Sequence, residues 1–122
     1  MRFAKLVFLI AGIYGVIAIL PGYFVEKLTS QQFPPAITHP EYFYGFFGVA
    51  LAWQVAFLAI ARDPARFRAI IPAAVLEKVS FFGATSILFA LGRAPGPFAA
   101  LGCVDLMWGI LFAIAYARLK AS

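Results

Sequence analysis

The chain has 122 residues, 64% of them hydrophobic and only 12% charged, whereas a soluble domain carries about 25% charged residues. Its apolar residues fall in long runs, and a span needs about 20 of them, so the length leaves room for four spans and little else. The net charge of +5 does not point to nucleic acid, because the basic residues sit at span ends, where topology rules place them.

These features predict an all-α integral membrane four-helix bundle forming a single domain over residues 1–122. One cysteine, Cys103, leaves thiol–disulfide chemistry without a second sulfur. One histidine, His39, excludes bis-histidine haem and any His-rich metal site within one chain. No metal and no cofactor is expected.

The first span is predicted at 3–20, ended by Pro21-Gly22. Arg2 and Lys5 ahead of it resemble a signal peptide. An uncleaved helix is the better reading, because no small-x-small cleavage site follows and three more spans do. Residues 21–40 form an external loop, with VEKLTSQQF as a short interfacial helix broken by Pro34-Pro35. Thr38 and Glu41 have capping-box spacing at the start of the second span, 41–61. His39 reads as a first-turn surface residue.

Asp63 and Pro64 are expected as N-cap and first helical residue of the next helix. Pro72 would then kink the start of the third span, 69–91. A tight loop, Arg93 to Pro97, leads to the fourth span, 98–117. Arg2, Lys5, Arg62, Arg66, Arg68, Arg118 and Lys120 share one side; Lys27 and Arg93 lie on the other. The positive-inside rule then predicts both termini in the cytoplasm. Tyr23, Phe24, Phe33, Tyr42 and Tyr44 fall at the outer interface, as an aromatic belt does.

Glu77 and Lys78 stand together inside the third span. Two such charges cost about 5–7 kcal/mol at the bilayer centre, so this span needs a partner for them. Helical spacing puts Ala73, Glu77, Ser80 and Ala84 on one face, and Gly102, Asp105 and Gly109 on one face of the fourth span. Small residues permit close helix approach, so both acids are expected to face the interior.

Glu77 and Asp105 differ in depth by about 9 Å at 1.5 Å per residue. Lys78 has the reach to bridge part of that gap, and a Lys78–Asp105 ion pair is expected. Lys78 points about 100° away from Glu77. Glu77 is then either protonated, because burial disfavours the charged form, or bonded to Ser80 or Gln54. Trp53 and Gln54 in the second span and Trp108 in the fourth lie at depth, whereas membrane tryptophans favour interfaces. They fit either core packing or the walls of a ligand cavity, with Gln54 as interhelical glue.

The layout resembles the DoxX-like group of small bacterial four-helix membrane proteins in span count, length and topology. It shares an aromatic-glycine second span, FYGFFG, and an acid in the last span, VDLMWG. The resemblance implies a link to quinone-reducing complexes or redox stress, and no functional residue is carried over from it. Small multidrug transporters place their essential Glu in the first span, which here holds no acid. Vitamin K reductase-like and disulfide-oxidising enzymes need paired cysteines. Sterol-isomerase-like proteins offer a loose parallel, with intramembrane acids in an aromatic pocket.

The expected role is binding a lipophilic small molecule, a lipid or quinone, or service as an accessory subunit of a membrane complex in a bacterial inner membrane. Glu77, Lys78 and Asp105 form the polar end of the expected site, and Gln54, Trp53 and Trp108 its walls. Proton-coupled transport and a lipid-modifying, isomerase-like activity remain open. So do a homo-oligomer and a purely structural ion-pair clasp. The lipid bilayer is the one partner required throughout.

Overall fold

The computed structural model describes residues 1–119. Lys120, counted above at the basic end, lies outside them. The order is α1 (Arg2–Ile19), a 3₁₀ turn (Leu20–Phe24), α2 (Glu26–Gln32), α3 (Pro40–Arg62), a 3₁₀ turn (Arg68–Ile70), α4 (Ile71–Ala90) and α5 (Gly96–Arg118). There is no strand among the described residues.

Four helical runs are long and apolar enough to cross a membrane: Arg2–Phe24, Pro40–Arg62, Arg68–Ala90 and Gly96–Arg118, 23 residues each. At 1.5 Å per residue each measures about 35 Å, enough for a hydrocarbon core of about 30 Å.

Several element ends differ from the sequence expectation, each for a local reason. Pro21 ends the α-helix, as expected, but the helical run continues past it. The α-helical ladder closes with Leu20 N–H on the Val16 carbonyl. Pro21 has no N–H to continue it, so the chain tightens into the 3₁₀ turn through Phe24.

The Thr38–Glu41 capping box is not made. Pro40 occupies the first turn of α3, making His39 the N-cap, without a side-chain cap bond. Glu41 Oε1 instead lies 2.7 Å from His39 Nδ1, and both side chains are exposed.

Asp63 is the C-cap of α3. Its carboxylate accepts the Arg66 N–H at 3.3 Å, and its carbonyl accepts from Phe67 N–H. That forms one separate turn, after which α4 starts at Ile71 with Pro72 in its first turn. There a missing N–H costs nothing, so no kink is needed.

The far end of α4 closes on Gly92, at φ 72°. Arg93 N–H reaches the Leu88 carbonyl at 2.7 Å and Gly92 N–H the Phe89 carbonyl at 3.0 Å, the paired bonds of a Schellman motif.

α1 packs along α3, and α4 along α5. The two pairs join through α1 and α5, while α3 and α4 barely touch. Gly15 lets α1 lie directly on α3, because a side chain there would run into Gln54. Gly102 does the same for α5 on α4, where a side chain would run into Thr85, and at Gly109 an added Cβ would sit in close contact, 3.4 Å from both Lys78 Cβ and Val79 Cγ2.

The buried apolar core lies at the end of the bundle that carries most of the basic residues. Phe8, Phe57 and Phe112 are fully buried there, with centroids 4.3 Å (Phe8–Phe112), 4.9 Å (Phe57–Phe112) and 6.1 Å (Phe8–Phe57) apart. Ile71, Ala74 and Ala115 pack around them. Leu6, Ile17, Val49, Leu76 and Ile87 point outward and are exposed. Water would penalise so apolar a surface, whereas lipid tails solvate it as well as a protein interior does.

Arg68 fastens the start of α4 to the end of α5. Its Nε donates to the Leu119 carbonyl at 2.8 Å and Nη2 to the Tyr116 carbonyl at 3.2 Å. Its guanidinium lies 3.8 Å over the Tyr116 ring. These bonds serve carbonyls that a helix end leaves unpaired.

Candidate functional site

The polar layer sits just beyond the phenylalanine core. Lys78 is its centre, with a side chain only 4% exposed. Nζ lies 3.7 Å from Asp105 Oδ1 on α5, the pairing expected from the sequence. It lies equally far, 3.7 Å, from Glu77 Oε2. This second approach corrects the reading that the neighbours face apart: the bonds from Cα do diverge, but both stems are long enough to bend together. The two carboxylate oxygens therefore lie within twice that distance of each other.

The inward face of α4 also differs from the expected one. Ala73, Ser80 and Ala84 are exposed. Ile71, Ala74, Lys78 and Thr85 are buried. Glu77 is therefore at the flank of the interface, 18% exposed, as is Asp105. On α5 the expected face does pack inward: Gly102 lies against Thr85 and Gly109 against Lys78.

Glu77 bonds to neither Ser80 nor Gln54 through its carboxylate. Ser80 Oγ donates to the Glu77 backbone carbonyl at 3.0 Å, and Gln54 Nε2 donates to the Ala50 carbonyl at 2.8 Å. Thr85 likewise returns its hydroxyl to its own helix, at the Phe81 carbonyl, 2.8 Å.

Gln54 is nearly fully buried against Gly15, and Trp108 is buried with its ring 6.1 Å from Tyr14. Trp53 is half-buried, 6.2 Å from Phe57. The structure thus brings Glu77, Lys78 and Asp105 into one cluster. It sets Gln54, Trp53 and Trp108 in the packed layers beside it.

Three buried polar atoms there have no hydrogen-bond partner: Gln54 Oε1, Glu77 Oε2 and Trp108 Nε1. Each such group costs about 1–3 kcal/mol when left unpaired. The Lys78 contacts, at 3.7 Å, are also longer than a charge-assisted hydrogen bond of about 2.7–2.9 Å. The layer is therefore under-bonded, with acceptors and a donor left to offer a polar group.

Two residues belong to this layer that the sequence reading missed. Phe57 presents its ring 5.1 Å from Lys78 Nζ, a cation–π contact. It lies three residues after Gln54, on the same helical face, which is a usable signal. Tyr14 is the sole hydroxyl in the first span. Two surface grooves, of about 410 and 300 Å³, share no residue with this layer. No known family model, curated protein or solved structure matches the chain.

Proposed function

We propose that this chain is a multi-pass protein of a bacterial inner membrane, N-in and C-in, that binds a lipophilic molecule with a polar head of lipid or quinone type. The observation that carries the reading is the under-bonded layer around Lys78. A head group that both accepts and donates would satisfy Trp108 Nε1 and Gln54 Oε1 and shorten the reach of Lys78. Its tail would leave between α3 and α4, the helices that barely touch. The DoxX-like resemblance contributes only the four-span layout.

Native mass spectrometry of the protein extracted from its own membrane tests this. A lipophilic molecule should co-purify and be lost in Lys78→Met and in Trp108→Phe, which removes the N–H together with part of the ring system. If these variants merely melt earlier, with no bound mass lost, the layer is a structural clasp.

One feature favours a second reading, proton-coupled transport. Two carboxylates share a single ammonium, so one proton on either acid would make the trio neutral. That reading requires Glu77→Gln to abolish pH-dependent uptake in vesicles while leaving helicity intact.

A further inference from the structure

We propose that the α1–α3 surface at the basic end is a binding site for an anionic phospholipid, with Lys5 and Arg62 holding the phosphate and the acyl chains lying in the two grooves that meet at Arg62.

The grooves, of about 410 and 300 Å³, share Leu58 and Arg62. The larger runs past Lys5, Leu6 and Leu9; the smaller runs along α3 to Val55. From Arg62 to Val55 the helix advances about 10 Å, and from Lys5 to Leu9 about 6 Å. Each groove therefore leads from a cation toward the apolar middle of the span. A free phosphate would use only the cations. The apolar floor beneath them fits the head-proximal part of acyl chains, and two grooves fit two chains.

The charges at this end are unequally employed. Arg68 is bound to the end of α5. Arg66 lies over Phe67 and Arg118 over Phe3. Lys5 and Arg62 are exposed, and neither side chain has an ion pair or hydrogen bond among the described residues. Asp63, the nearest acid in sequence, turns its carboxylate to the Arg66 backbone. Two unengaged cations beside a paired apolar groove suit a phosphate head at the membrane surface, where basic residues attract anionic lipid.

The test uses the full chain in a neutral detergent, titrated with phosphatidylglycerol or phosphatidylcholine of identical acyl chains and read by native mass spectrometry. Wild type should retain the anionic lipid in preference to the neutral one. Lys5→Gln/Arg62→Gln should cut that preference about thirtyfold. Arg2→Gln/Arg66→Gln, which removes equal charge from the same end outside the grooves, should keep it. Ala59→Trp keeps every charge and fills the smaller groove at an exposed position, so it should weaken lipid retention. Equal retention of the two lipids by wild type would overturn the proposal. So would equal losses in the two double variants, which would indicate diffuse surface charge, or unchanged retention in either Lys5→Gln/Arg62→Gln or Ala59→Trp. Circular dichroism confirms that each variant is folded.

Discussion

The Lys78 ammonium lies 5.1 Å from the centre of the Phe57 ring, so a charge carried by α4 closes onto α3 where the two helices otherwise barely meet. The contact makes Lys78 the residue that joins three helices: its own, α5 through Asp105, and α3 through Phe57.

Removing that charge alone should be costly. Lys78→Met leaves two carboxylates facing each other without a cation, and breaking a buried pair costs about 3–5 kcal/mol. The triple variant Glu77→Gln/Lys78→Met/Asp105→Asn should recover most of the loss, because no net charge remains buried. Equilibrium unfolding of the protein in mixed micelles measures both. A triple variant no more stable than Lys78→Met would contradict the ion-pair account.

Gly15→Ala should destabilise α1 against α3 by about 1–3 kcal/mol, the usual range for overpacking, because the new methyl meets Gln54. Gln54→Ala in the same chain should relieve most of it. The double-mutant cycle should show a coupling of at least about 0.5 kcal/mol; strictly additive losses would mean that the two do not touch.

Gly109 and Gly83 provide a matched pair. An added Cβ at Gly109 would already touch Lys78 and Val79 at 3.4 Å, leaving no room for the methyls of a valine, while at Gly83 it would meet nothing within 4 Å. Gly109→Val should separate α5 from α4 and lower the melting temperature. Gly83→Ala should leave it unchanged or raise it, since alanine is the better helix former by about 1 kcal/mol. Thermal melts followed by helicity compare them directly.

Arg68→Gln should loosen the joint between α4 and α5 by about 1–3 kcal/mol, the range for hydrogen bonds from a charged donor. Arg68→Lys should recover only part, because lysine keeps the charge but lacks the planar fork that serves two carbonyls and stacks on Tyr116. Amide hydrogen exchange near Tyr116 should quicken in both, most in Arg68→Gln.

Orientation is open to direct chemistry. In a Cys103→Ser background, Arg66→Cys should label with an impermeant maleimide only after inverted vesicles are presented, and Lys27→Cys only on intact cells. The reverse pattern would place the basic end outside.

The four spans, the break at Pro34-Pro35 and the Lys78–Asp105 pair were legible because each depends on local quantities: run length, a missing N–H, a charge that lipid will not accept and a side chain long enough to reach another. The short helix Glu26–Gln32 was legible in the same way. Cap positions were misread where two signals competed. At the start of α3, Pro40 dictated the geometry and left Thr38 one residue too early to act as cap.

What the sequence alone could not decide was which face of α4 turns inward. Small residues occur on both, with Ala73, Ser80 and Ala84 on one side and Ala74 and Thr85 on the other. In water, hydrophobicity would break that tie. In a membrane, lipid and protein interior are equally apolar, so only side-chain packing selects the face. The packing set Lys78 against Gly109 and Thr85 against Gly102 of α5 and buried Ala74 in the core. That choice buries Lys78, leaves Glu77 at the flank, and makes the lysine rather than the glutamate the centre of the polar layer.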